Sequence, residues 1–314
     1  MKNIEKIDNV ENHDIEFISP WIHTTESCNL RCHYCYIKGN RVMTPEIYEK
    51  LGIFLLNAPT DKRHLRFAGG EPLMVFDIWE PFARWMLEHK GTTIEVLTNL
   101  YLTSPKFFKF AELENVNVSV SLDNGKNVKV LDKSIVEKLK KLHDPWIMTT
   151  ITEENIHNLD ILAAFIGMNN YGWALTTDYF WKTAPRWETI AQALLRIVAV
   201  LKEFNYDFSR ISFNNFTIKS TFSGCRMGSE MFAVAPNGAF FKCQTQIEKG
   251  KPIGSVDKGY VPHKVKNRKE CENCSIFGLC TGWCPLYFKP PSHMCEVIKI
   301  FANEILKEVS KNAK

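Results

Sequence analysis

The chain has 314 residues, 45% hydrophobic and 24% charged, with a formal net charge of +4. That length and composition fit a globular protein of about two domains, or one barrel with an appendage. The small charge gives no argument for nucleic acid or a membrane surface as partner. The N-terminal segment Met1–Asp8 has no apolar signal core, and no run of eighteen apolar residues offers a membrane span, so a cytoplasmic protein is expected. Ten cysteines in a reducing compartment then need a role other than a disulfide framework, which suits short secreted domains. Metal or cluster ligation is the stronger reading.

In chain order, β-type runs fall at 17–24, 65–68, 93–97, 116–122, 147–151 and 173–177, rich in Val, Ile, Thr and aromatics. Helical runs lie between them. The first begins at Thr44-Pro45, a cap residue followed by a proline suited to the first turn, with Ile47, Leu51, Phe54 and Leu55 at helical spacing. Others cover about 78–89, 105–113, 133–142, 156–166 and 186–204. This alternation predicts an α/β fold with a parallel sheet and crossover helices, either a partial barrel or an open doubly wound sheet. In both, functional residues gather at the C-terminal ends of strands. Beyond Phe204 the pattern changes. Residues 231–243 read as a hairpin turning at Asn237-Gly238, and 294–309 as a helix with Val297, Phe301 and Ile305 on one stripe.

Three motifs carry chemistry. Cys28, Cys32 and Cys35 follow the first strand as C-x3-C-x2-C. Zinc would want four ligands, and His33 is badly placed to be the fourth. A four-iron cluster holding three thiolates keeps one iron open for another molecule. Tyr34 can pack in the loop or stack on a flat heterocycle. Gly69-Gly70-Glu71-Pro72 follows the second strand, where two glycines let backbone approach a ligand closely. The third motif is a set of seven cysteines from Cys225 onward: Cys225, Cys243, Cys271, Cys274, Cys280, Cys284 and Cys295.

Cys28, Cys32, Cys35, Tyr34 and the Gly69–Pro72 turn together resemble the radical SAM superfamily, over about the first 177 residues. The resemblance implies a partial (β/α)6 barrel, a 4Fe–4S cluster on the three cysteines and S-adenosylmethionine (SAM) chelated by the open iron. It also implies a 5′-deoxyadenosyl radical that takes hydrogen from the substrate. Gly69, Gly70 and Glu71 would meet the methionyl amino group, with Pro72 completing the cofactor-binding turn. Ser121 and Asp123 match a Ser-x-Asp-Gly motif with Asn124 in place of Gly, and Asn99 lies in a Thr-Asn-Gly motif with Leu100 in place of Gly. The later cysteines resemble a SPASM domain, a small cysteine-rich unit with two auxiliary 4Fe–4S clusters. In that pattern Cys271, Cys274, Cys280 and Cys295 hold the outer cluster, and Cys225, Cys243 and Cys284 the inner one, with its fourth ligand open. The expected division is a core over 1–205 and the auxiliary domain over 206–314.

The resemblance points to an oxidoreductase acting on a ribosomally made peptide, giving a crosslink or another oxidative modification. The alternatives are a radical dehydrogenase of a small alcohol or sugar, formylglycine formation on a sulfatase, and a non-catalytic iron–sulfur protein. Formylglycine formation is disfavoured because Gln244, which is no base at neutral pH, stands after Cys243 where an Asp is usual. Only 27 residues precede Cys28, too few for a separate peptide-binding domain. A partner protein could then recognise the peptide, with a flavodoxin- or ferredoxin-type electron donor. Asp178, after the sixth strand, is a candidate substrate-side base.

Overall fold

The computed structural model describes residues 15–123, 132–177, 185–214, 216–218, 226–262, 271, 273–280 and 293–312. Strand β1 (Ser19–Thr25) is followed by α1 (Pro45–Leu56), β2 (Arg63–Gly69), α2 (Phe76–Leu87), β3 (Thr92–Thr98), α3 (Pro105–Ala111) and β4 (Val116–Ser121). Then come α4 (Lys133–Leu139), β5 (Trp146–Ile151), α5 (Leu159–Asn169), β6 (Gly172–Thr177) and α6 (Trp187–Glu203). The short strands β7 (Ile211–Phe213), β8 (Phe216–Thr217), β9 (Met231–Val234), β10 (Ala239–Phe241), β11 (Gly254–Ser255) and β12 (Gly259–Tyr260) precede the final helix α7 (His293–Asn312). The six predicted strands and the helices between them are all present, with ends shifted by a few residues, as fraying ends do. After the glycine turn the chain first makes a single 3-10 turn, Pro72–Val75, so α2 starts at Phe76.

The chain divides into two compact units, Met1–Val118 with Arg226–Lys264, and Ser119–Cys225 with Val265–Lys314. In the first, β1 pairs in parallel with β2, and β2 with β3. The period of two along each strand separates two faces. Ile22, Phe67 and Val96 share one row of the sheet and are fully buried. The Phe67 ring stacks on Trp79 of α2 at 4.4 Å between centroids. Trp21, Arg66 and Glu95 share the adjacent row on the other face. That face is polar: Arg66 Nε donates to Glu95 at 2.9 Å, and the His64 ring reaches Thr93 Oγ1 at 2.7 Å.

The other edge of β1 was not legible from the sequence. β9 lies parallel to it, Ser19 beside Met231 through Ile22 beside Val234. β9 turns into β10 as the predicted hairpin, with Gly238 at φ +79°, a left-handed conformation glycine adopts freely. The hairpin therefore carries Cys243 back to the unit that holds Cys28, Cys32 and Cys35.

In the second unit β5, β6 and β7 are parallel neighbours, and β8 folds back on β7. The predicted stripe Val297, Phe301 and Ile305 on α7 is buried. Phe301 meets Phe213 and Phe216 edge-on at 5.7 and 5.9 Å. Large aromatic faces of this kind supply much of a core's burial energy, with an added preference for edge contacts.

Candidate active site

The three-cysteine loop leaves β1 at Thr25 and is closed at its base by backbone and charge. Glu26 N donates to Arg41 O at 2.9 Å and Met43 N to Thr24 O at 2.9 Å. Thr25 Oγ1 also donates to Arg41 O, at 3.1 Å. The buried Glu26 carboxylate takes both oxygens' worth of hydrogen bonds from Arg41 Nε, at 2.9 and 2.8 Å, and pairs with its Nη2. Bidentate carboxylate–guanidinium pairs are the strong class of ion pair. A further bond, from Lys38 N to Glu248, ties the loop to the segment after Cys243.

Within the loop Cys28, Cys32 and Cys35 are half-buried and carry no disulfide. Cys35 N donates to Cys32 O at 3.0 Å, and Leu30 N donates to the Cys28 sulfur at 3.4 Å. Burial is the main cause raising the thiol pKa of Cys28 and of Cys35. Among the described residues no three His, Cys, Asp or Glu side chains converge in a geometry ready for a metal. The chemistry of the donor set still fits iron: three soft sulfurs, held from one closed loop, with Tyr34 partly buried beside them. His33 packs edge-on against Tyr34 at 5.3 Å.

The glycine turn packs directly on this loop. Gly70 N donates to Thr25 O at 2.7 Å and Glu71 N to Ser27 O at 2.9 Å. A Cβ on Gly69 would fall 2.3 Å from Thr25 O, and one on Gly70 2.0 Å from Ser27 O, so no other residue fits either place. Those two N–H groups are thereby committed to the loop, and Glu71 O accepts from Met74 N at 3.1 Å. The Glu71 side chain faces inward. It is 1% exposed, and one oxygen accepts from Leu73 N at 3.0 Å and Thr98 Oγ1 at 2.7 Å, the other from Asn99 N at 2.8 Å. Burial raises its pKa to about 7, while those three donors pull it back down. Glu71 thus ties the end of β2 to the end of β3. Pro72 is buried at the start of the 3-10 turn, and its carbonyl accepts from Trp79 Nε1 at 2.8 Å.

Asn99 faces the cysteine loop. Its Nδ2 donates to Asn29 Oδ1 at 2.9 Å and lies 3.9 Å from the Cys28 sulfur. Leu100, the departure from glycine, adopts φ +63° and is wholly buried.

The second unit contains Ser121 and Asp123, at and just beyond the end of β4. Ser121 is half-buried and Asp123 buried. Asp123 accepts from Thr150 N at 2.7 Å, and burial, its leading influence, lifts its pKa to about 7. Asn155, with no motif around it, organises this strand end. It is fully buried, and its Nδ2 donates to Asp123 O and Thr150 O, each at 2.7 Å. Cys274 N donates to Cys271 O at 3.0 Å and Cys280 N to Ile276 O at 2.9 Å, and Cys295 sits in the first turn of α7. Cys274 and Cys295 both act on Lys299, raising its pKa after the larger effect of Glu296. Cys225, Cys284 and Asp178 lie outside the described residues.

The radical SAM superfamily profile matches residues 22–163. A GTP 3′,8-cyclase of Aliarcobacter butzleri is 32% identical over 128 residues, which cover 38% of this chain and 39% of the cyclase. The chain thus spans about two fifths of the cyclase's length. An uncharacterised protein of Archaeoglobus fulgidus is 24% identical over 87% of this chain and 75% of its own. Among solved structures, native anSMEcpe with bound AdoMet and Kp18Cys peptide superposes with a TM-score of 0.75, at 19% identity, over 94% of this chain and 99% of the other. Streptococcus suis SuiB bound to precursor peptide SuiA gives 0.64, at 14% identity, over 86% and 72%.

Proposed function

We propose, from the match of residues 22–163 to the radical SAM superfamily profile, that the protein is a SAM-cleaving enzyme that oxidatively modifies a peptide. The observation that carries the proposal is the packing of Gly69-Gly70-Glu71 onto the loop of Cys28, Cys32 and Cys35. The turn is thereby fixed against the loop that carries the three thiols. A bound 4Fe–4S cluster and SAM supply the one-electron cleavage that yields a 5′-deoxyadenosyl radical. The protein's own share is placement and exclusion of water. Cys28, Cys32 and Cys35 hold the cluster. The carbonyls of the glycine turn orient the methionyl ammonium, and Glu71 fixes the turn against β3 without its carboxylate leaving its three donors. Tyr34 would stack on the adenine, with Asn99, Ser121 and Asp123 the further SAM contacts.

The peptide part of the reading draws on fold similarity to anSMEcpe and SuiB, whose structures hold peptides. In this reading 1–205 is the core and 206–314 a SPASM-type domain. Cys271, Cys274, Cys280 and Cys295 would hold one auxiliary cluster, and Cys225, Cys243 and Cys284 another. A flavodoxin- or ferredoxin-type donor delivers the electron, a separate protein can present the peptide, and Asp178 is the candidate substrate-side base.

Anaerobic reconstitution followed by iron analysis and a dithionite-driven assay for 5′-deoxyadenosine tests both layers. Three clusters give about twelve irons per chain and SAM cleavage. About four irons with cleavage would remove the auxiliary clusters and keep the radical enzyme. Full iron without 5′-deoxyadenosine would remove the enzyme itself.

A further inference from the structure

His23 is a polar residue buried without a partner. It is 1% exposed, and neither ring nitrogen makes a hydrogen bond. A neutral imidazole has one donor and one acceptor, and leaving both unmet in the interior is costly. In the same unit the side chains of Thr98, Asn99 and Glu71 are hydrogen-bonded, while Trp21 Nε1, Tyr48 Oη and Thr92 Oγ1 each leave one atom unmet; His23 leaves two. Burial lowers the His23 pKa to about 3, which keeps the ring uncharged.

The surroundings indicate what would satisfy it. His23 lies on the polar face of β1, level with Ala68 of β2 and one step beyond the row of Trp21, Arg66 and Glu95. Above is the glycine turn, where a Cβ on Gly69 would stand 3.3 Å from the His23 Cα. On another side is Tyr36, its ring centroid 6.5 Å away and tilted by 37°.

We propose that His23 and Tyr36 line a ligand pocket beneath the Gly69–Gly70 turn, which takes a neutral hydroxyl or carboxamide group able to donate and accept hydrogen bonds. An anion is disfavoured there, because the buried ring is uncharged and offers no counter-charge. Resting on the SAM reading above, two molecules can bring such a group: SAM through its ribose hydroxyls, or the peptide through a side-chain hydroxyl or an amide.

The test uses anaerobically reconstituted wild type, His23→Leu, His23→Gln and Tyr36→Phe. Iron content and thermal unfolding are measured first, then SAM affinity by calorimetry and N-acetylserinamide binding by saturation-transfer NMR. Leu fills the imidazole's place without unmet polar atoms, so H23L should keep its iron and unfold a few degrees higher than wild type. It should also lose about tenfold or more in affinity for one of the two ligands, with H23Q recovering most of it and Y36F weakened in the same direction. Loss of SAM affinity assigns the pocket to the nucleoside. Loss of the N-acetylserinamide signal with SAM affinity intact assigns it to the peptide. If H23L loses iron, H23Q and Y36F carry the same comparison. SAM affinity equal in wild type and H23L, with no His23-dependent N-acetylserinamide signal, overturns the pocket alone. Wild-type protein that binds neither ligand overturns the enzymatic reading and the pocket with it.

Discussion

Asn99 is aimed by its own amide. Its Oδ1 accepts from Tyr101 N at 3.1 Å, which fixes the other end of the group, Nδ2, toward Asn29 and the Cys28 sulfur. Hydrogen bonds to cluster sulfurs favour the more negative, reduced state. A bond of about 0.5–1.5 kcal/mol corresponds to roughly 20–60 mV in a one-electron couple. Asn99→Ala should therefore lower the midpoint potential of the loop cluster by that amount in an EPR-monitored titration, and an unchanged potential would remove Asn99 from this role. Asp123 offers a test in pH. Its folded pKa of about 7 stands above an unfolded value near 3.9. The native state thus holds a proton that the unfolded chain has released. The associated stability is fully present below about pH 4 and is lost as pH rises toward about 7. Asp123→Asn keeps an oxygen for Thr150 N and has no proton to lose. Urea unfolding should find the variant gaining about 2–4 kcal/mol relative to wild type between pH 4 and 8. A constant difference over that range would contradict the assignment.

At the scale of elements, the turn after β3 is strained and the loop after β1 is stapled. Leu100 at φ +63° carries a cost of about 1–2 kcal/mol for an L-residue with a side chain. Burying that side chain returns about 1.5–3 kcal/mol, which accounts for leucine persisting in a glycine-like conformation. At an ordinary buried site Gly is worse than Ala by about 0.5–1 kcal/mol. Here Leu100→Gly and Leu100→Ala should be level or reversed in denaturant unfolding, and a Gly penalty well above 1 kcal/mol would show that the turn relaxes. The sequence revealed the alternating elements, because their periods of two and 3.6 are written locally, and it revealed the motifs that stand at strand ends. It did not reveal that Glu71 turns inward, since nothing in Gly-Gly-Glu-Pro says which of its atoms face a ligand. Nor did it reveal the Glu26–Arg41 staple, whose partners lie fifteen residues apart with no periodic signal between them. Glu26→Ala should leave Arg41 without its partner and open the loop. Iron release to a chelator should then be several-fold faster than in wild type, and an unaltered rate would mean that the backbone bonds at Thr24–Arg41 suffice alone.

At the scale of the whole molecule, the first compact unit is built from two distant stretches of chain, joined where β9 lies along β1. Residues 1–205 expressed alone would leave that side of β1 unpaired, and an unpaired strand edge invites association with other chains. Such a fragment should aggregate on light scattering where the full chain does not, and a monodisperse fragment would show that β9 is dispensable. The same pairing sets a timetable. On the ribosome β1 and the cysteine loop emerge about 200 residues before β9, a wait of roughly 10–40 s at ordinary elongation rates. Throughout that wait the loop belongs to a nascent chain lacking one neighbour of its first strand. In the proposed reading, Cys28, Cys32 and Cys35 stand meanwhile beyond the end of a strand whose second neighbour has yet to be made.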